Sequence, residues 1–128
     1  MIKFLENWKQ FLLLETVTIH GTVEKLNETG LRAVFCVDNE NHLKGVVSDG
    51  DLRRGLLRGL SMTSSILDIL NTDPVTCLEG VNLGLVKSLM EEQKLLQIPV
   101  VDDFGRMVGL YIREELYHSH NPEHDHYM

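Results

Sequence analysis

An α/β fold built from two β-α-β-β-α units is predicted by three observations on the 128-residue chain. First, the sequence matches itself without a gap when shifted by 64 residues. Leu14-Glu15 falls on Leu78-Glu79, Glu28 on Glu92, Leu31 on Leu95, Val37-Asp38 on Val101-Asp102, Gly45 on Gly109 and Leu52 on Leu116. Apolar positions match more widely, as in Ile19 with Leu83, Val34 with Ile98, Leu43 with Met107 and Val46 with Leu110. Second, each copy alternates short β-branched runs with stretches of helical period. Third, 43% apolar and 24% charged residues, with three prolines and ten glycines, fit a globular domain with one core.

The elements follow in order. Each copy opens on a short strand (residues 11–14; 75–78), followed by a polar residue suited to cap a helix, Thr18 or Asn82. The helix ends near Gly30 in the first copy, where glycine suits a C-terminal cap, and near Lys94 in the second. Strands at 33–37 and 98–101 have the apolar, β-branched character of strands buried on both faces. Asp38-Asn39-Glu40-Asn41 and Asp102-Asp103-Phe104-Gly105 read as hairpin turns. They lead into third strands closed by Gly45-Val46-Val47 and Gly109-Leu110-Tyr111. A final helix closes each unit, and residues 61–71 read as a connecting helix with Ser64 or Ser65 as cap and Asp73-Pro74 as its stop.

Nineteen acidic against twelve basic residues, a formal charge of −7, argue against nucleic acid or an anionic membrane as partner. The run 11–14 is too short for a signal peptide or membrane span, so a cytoplasmic chain is expected. Cys36 and Cys77 lie in apolar stretches and read as reduced and buried. No Ser, His and acid share a defensible triad spacing, and there is no Cys-x-x-Cys. No catalytic residue is therefore assigned and no cofactor is required.

One stretch concentrates polar chemistry at a strand-to-helix junction: Gly45-Val46-Val47-Ser48-Asp49-Gly50-Asp51. Unpaired N–H groups at a helix N-terminus favour phosphate, and Arg53, Arg54 and Arg58 follow. Ser48-x-x-Asp51 also has the spacing of a capping box, which alone accounts for both residues.

This motif, together with Ile98-Pro99-Val100-Val101-Asp102, resembles the tandem cystathionine β-synthase (CBS) domain pair, or Bateman module, over roughly residues 8 to 117. Trp8-Lys9, Gly30-Leu31 and Ser48-Asp49-Gly50-Asp51-Leu52-Arg53-Arg54 further resemble the CBS pair at the N-terminus of bacterial sugar-phosphate nucleotidyltransferases. The resemblance implies two repeats packed with pseudo-two-fold symmetry: 1–70 as first motif with N-terminal helix and linker, 71–118 as second, and 119–128 as a flexible His-rich tail. It also implies that an adenine nucleotide (AMP, ADP, ATP) or another adenosine compound such as S-adenosylmethionine binds between them as a regulatory ligand. In the first site Asp51 would accept from the ribose hydroxyls, Ser48 would donate to ribose or phosphate and Arg54 would meet phosphate. Val75, Leu96, Gln97, Ile98 and Pro99 would flank the adenine, with backbone groups reading its edge.

The second site departs from the pattern, with Ile112 and Glu115 where the first has Ser48 and Asp51. Its base side would be Phe11, Leu31, Arg32 and Ala33, and binding there is expected to be weaker or absent, with Ile112 read as core. The expected partners are an adenosine-containing small molecule, a second copy of the chain docking through Leu56, Leu57, Leu60 and Leu116, and a linked or associated nucleotidyltransferase-type catalytic domain. The rival reading is a structural dimerisation module with no nucleotide. His118, His120, His124, Asp125 and His126 read as tail rather than as a metal site, and Trp8 as packing an N-terminal helix onto the domain.

Overall fold

The computed structural model of the chain describes residues 1–114. Glu115, Leu116, the helix expected to close the second copy and the His-rich tail lie outside them. Each copy forms one sheet backed by helix. The first sheet has the order β2 (Leu12–Leu14), β3 (Ala33–Val37), β4 (Leu43–Ser48), with α1 (Ile19–Thr29) and α2 (Asp49–Leu57). The second has the order β1 (Ile2–Phe4), β7 (Met107–Arg113), β6 (Gln97–Val101), β5 (Cys77–Leu78), with α3 (Leu83–Gln93). β2 runs parallel to β3 and β5 parallel to β6, whereas β3–β4 and β6–β7 are antiparallel hairpins.

Local chemistry sets the boundaries. The Thr18 hydroxyl accepts from Gly21 N at 3.2 Å and the Asn82 side chain accepts from Leu85 N at 3.0 Å, so both repeat helices start on a side-chain cap. Gly30 ends α1 in the left-handed region at φ 76°, as a glycine readily does.

Alternation along the strands sorts their side chains into three apolar layers. Val34, Cys36 and Val47 pack with Ile19, Leu26, Ile66 and Ile69 on the helix side of the first sheet. Ile98 and Val100 pack with Cys77, Val86 and Met90 on the helix side of the second. The opposite faces meet between the repeats, where Ala33, Phe35 and Val37 join Met107, Leu110 and Ile112 with Leu5, Phe11 and Leu31.

A local two-fold axis passes through the hairpin turns. His42 and Arg106, equivalent in the 64-residue register, bridge to each other. Leu43 N donates to Gly105 O at 3.0 Å, and its counterpart Met107 N donates to Asn41 O at 2.9 Å. Asp38 takes the backbone N–H of Glu40 and His42, and Asp102 those of Phe104 and Arg106, each at 2.9 Å.

The lead-in segments are exchanged. β1 pairs with β7 of the second repeat, and Leu5 N donates to Leu110 O at 2.9 Å. Reciprocally, Asn71, which leads into the second repeat, bonds both ways with Val46 of the first at 2.9 and 3.0 Å. Glycine permits each approach, since a Cβ on Gly109 would run into the Phe4 ring and one on Gly45 into the Asn71 carbonyl.

Five expectations need correction. Residues 61–71 form only a 3-10 turn at Ile66–Asp68, because Ser61, Ser64 and Ser65 hydroxyls bond nearby backbone N–H groups and compete with helix. Ile66 N then donates to Val17 O at 3.0 Å, and Ile66 and Ile69 enter the first core. The expected N-terminal helix is instead strand β1 and a single 3-10 turn at Trp8–Phe11, whose Trp8 leans on the central layer. Phe11 belongs to that turn rather than to a strand, and the 75–78 strand shrinks to Cys77–Leu78 after Pro74. Leu60 is withdrawn from the exposed leucine face because it packs against the first repeat's own core.

Candidate functional site

The Ser48 to Asp51 junction forms the capping box its spacing allows. Ser48 N and Ser48 Oγ both donate to Asp51 Oδ2 at 2.9 Å, and Asp51 N donates to Ser48 Oγ at 3.2 Å. The other carboxylate oxygen, Oδ1, accepts from Arg54 Nη2 at 2.9 Å, and the Arg54 guanidinium folds back over Gly50. Positive charge therefore hangs over the helix N-terminus, where unpaired N–H groups already favour an anion. An exposed pair such as Arg54–Asp51 is worth about 0 to 1 kcal/mol, so exchanging that partner for a ligand hydroxyl costs little.

The base-side residues lie on the other repeat. Leu96 O accepts from Arg113 N at 3.0 Å and Gln97 pairs with Ile112, just as Arg32 O accepts from Asp49 N at 3.2 Å and Ala33 pairs with Ser48. Ile98 faces the α3 core and is fully buried; it offers a ligand backbone groups at most. Pro99 and Gln97, on the opposite face of β6, point toward the layer between the repeats.

The local two-fold makes the two clefts directly comparable. Phe11, Leu31, Ala33 and Ile112 share one buried apolar cluster, with Phe11, Ala33 and Ile112 at 0% exposure. That cleft is filled by side chains, while Arg32 stands exposed at its rim and Glu115 lies outside the described residues. Their counterparts in the 64-residue register are Val75, Leu95, Gln97 and Ser48, every one only half-buried, with Leu95 packed against the α3-side core instead of the layer between the repeats. The second set is partly polar and partly open where the first is apolar and closed.

Two features were missed from sequence. Gln97 was read as contributing backbone, yet its side-chain Oε1 is buried and has no hydrogen-bond partner among the described residues. The signal was a lone polar residue in Leu95-Leu96-Gln97-Ile98-Pro99-Val100-Val101. The axial turns were read only as turns, although Asp38-x-x-x-His42 and Asp102-x-x-x-Arg106 recur at the repeat distance. At those turns burial opposes the Asp38 charge, but the His42 and Glu40 backbone donors and the His42 ring outweigh it and lower its pKa. Asp102 is lowered chiefly by the Arg106 backbone N–H, with Phe104 N–H and the Arg106 side chain adding to it against some burial.

Burial, with Glu15 nearby, raises the Cys36 thiol to about 11, and burial also raises Cys77. Both thiols are therefore protonated at neutral pH. Among the described residues no three His, Cys, Asp or Glu side chains are grouped to hold a metal, and no helix is long and apolar enough to cross a membrane.

Comparison with known proteins agrees with this architecture. The chain is 30% identical over 108 residues, 84% of its length, to arabinose 5-phosphate isomerase GutQ of Salmonella typhi, and spans about a third (33%) of that relative. The solved structure of CBSX2 in complex with AMP superposes with a TM-score of 0.69 at 27% identity, covering 80% of this chain and 81% of that one. AcuB of Vibrio cholerae superposes at 0.74 with 25% identity, covering 81% and 76%. The CBS domain model matches residues 12–58 and again 66–119, one match on each copy of the repeat. With two matched units related by a local two-fold, the chain belongs to the CBS domain family as a tandem pair.

Proposed function

We propose that this CBS pair is a regulatory module that binds an adenine nucleotide in the cleft bordered by Ser48, Asp51 and Arg54 on one side and Val75, Leu96, Gln97, Ile98 and Pro99 on the other. The observation that carries the reading is the asymmetry between pseudo-equivalent clefts: one is closed by Phe11, Leu31, Ala33 and Ile112, and the other keeps half-buried polar groups. A module built only for shape would gain by filling both. The AMP complex of CBSX2 supports the choice of ligand.

Isothermal titration with AMP, ADP, ATP and S-adenosylmethionine tests this, alongside thermal melting, since a ligand bound only by the native state raises the melting temperature. Asp51→Asn keeps a competent helix cap but loses charge and an acceptor, so AMP affinity is expected to fall roughly ten- to a hundredfold. Absence of heat with all four compounds sinks the sensor reading.

The module controls an enzyme on the same or an associated chain. The match to about a third of an arabinose 5-phosphate isomerase favours a sugar-phosphate isomerase over the nucleotidyltransferase suggested by the Trp8-Lys9 resemblance. Two buried free cysteines, unpaired as a disulfide, suit a cytoplasmic setting.

A structural dimerisation module is the second reading, favoured by one observation. Among the described residues the Ser48 and Asp51 side chains bond only within the capping box and to Arg54, so no ligand is needed to satisfy them. In either reading the chain forms a homodimer through the exposed Leu56 and Leu57 of α2, which sedimentation equilibrium checks.

A further inference from the structure

Of the arginines that follow the Ser48 to Asp51 junction, one is turned back onto it. Arg54 Nη2 donates to Asp51 Oδ1 at 2.9 Å, whereas Arg58 Nη2 reaches away to Asp68 O at 3.2 Å. Asp51 Oδ2 already accepts from both Ser48 N and Ser48 Oγ, which fills its two lone pairs. A ribose that donates through both hydroxyls needs two places on the carboxylate. With Arg54 on Oδ1, only one remains.

The residue between them makes room for this fold-back. A Cβ on Gly50 would stand 3.1 Å from Arg54 Nη1 and 3.4 Å from Nη2, closer than side chains ordinarily pack, so another residue there would crowd the guanidinium off. Gly50 lies within α2 and is not among the glycines with positive φ, so backbone conformation does not call for a poor helix former here. The space taken by Arg54 does. Exposure makes the contact reversible: the Arg54 side chain is 66% exposed and that of Asp51 23%, so a ligand reaches the carboxylate and the arginine leaves it freely.

We propose that Arg54 is an internal competitor for Asp51, held over Gly50 while the cleft is empty and released when a ligand's phosphate takes the guanidinium in exchange. This rests on the nucleotide-sensor reading above and deepens it. A nucleotide that breaks the Arg54–Asp51 pair gives the arginine a charged partner in return. A nucleoside breaks the same pair and offers only a neutral 5′-hydroxyl. The cleft therefore favours phosphorylated adenosine compounds over unphosphorylated ones, and part of that preference is exclusion of the wrong ligand rather than attraction of the right one.

The test is titration of the full chain with AMP and with adenosine, for the parent, Arg54→Met and Gly50→Ala. Arg54→Met removes the competitor and the phosphate partner together. Adenosine is expected to bind it about two- to fivefold tighter than the parent, the worth of an exposed ion pair, and AMP about tenfold weaker. Gly50→Ala keeps the charge but crowds the guanidinium off Asp51, so adenosine should again gain about two- to fivefold while AMP holds or gains. Both variants keep the Ser48–Asp51 capping bonds, and melting temperatures at or above the parent's without ligand check that they fold. Where the parent binds AMP, adenosine affinity unchanged or lower in either variant overturns the assignment and leaves the sensor intact. Undiminished AMP binding by Arg54→Met overturns it too, since no phosphate then meets the guanidinium. If the parent binds neither compound, the sensor reading falls and takes this assignment with it.

Discussion

Lys94 closes α3 with φ 54° and ψ 45°, a left-handed conformation that side chains with a Cβ adopt at a cost of roughly 1 to 2 kcal/mol. Gly30 does the same task for α1 at φ 76° without that cost. The side chain of Lys94 is exposed, so nothing is lost by removing it. Lys94→Gly is therefore expected to stabilise the fold by about 0.5 to 1 kcal/mol, because strain relieved in the native state exceeds the extra freedom glycine gains in the unfolded chain. Urea denaturation with an unchanged slope and a higher midpoint would bear this out, and a lower midpoint would refute it. Helix ends were legible in the sequence because caps are local chemistry: Thr18, Gly30, Asn82 and Ser48 do what their positions suggest. The buried oxygen of Gln97, without a hydrogen-bond partner among the described residues, was not, since its burial depends on tertiary packing that spacing along one chain does not describe.

At the scale of elements, repeat periodicity made the repeat strands and the helices α1, α2 and α3 readable, and the strand bounds shifted by only one or two residues. β1 was not readable, because three residues with two exposed side chains carry no pattern until Gly109 opens a berth for Phe4. The two hairpin turns form the seam of the molecule, and their carboxylates make it sensitive to acid. Asp38 and Asp102 both have native pKa values below the ordinary 3.8, through the backbone donors of His42 and Glu40 and of Arg106 and Phe104. A carboxylate whose native pKa is lowered adds stability that is present above its unfolded value and is lost as pH falls through the native one. The parent should thus lose stability below about pH 4 more steeply than Asp38→Asn/Asp102→Asn, in which neither group titrates. Denaturation midpoints at a series of acidic pH values check this, and parallel acid limbs would show that the seam carries no such linkage.

For the whole molecule, the decisive feature is that neither repeat is self-contained. β1 begins the chain but completes the second sheet, Asn71 leads into the second repeat but bonds to β4 of the first, and the axial turns donate to each other's carbonyls. The central apolar layer takes Ala33, Phe35 and Val37 from one repeat and Met107, Leu110 and Ile112 from the other. Cutting the chain between them would expose that layer on both pieces and separate β1 from β7, the strand it pairs with. At about 25 cal/mol per Å² of apolar surface, a layer of nine buried residues outweighs the few kcal/mol of net stability usual for a domain this size. The full chain is accordingly expected to melt in a single transition whose calorimetric and van't Hoff enthalpies agree. Separately produced pieces 1–70 and 71–128 should show no cooperative melting alone and should regain it when mixed. Two resolved transitions in the full chain, or a cooperative transition in either piece by itself, would mean that the repeats fold independently and that the exchanged lead-ins are incidental to stability.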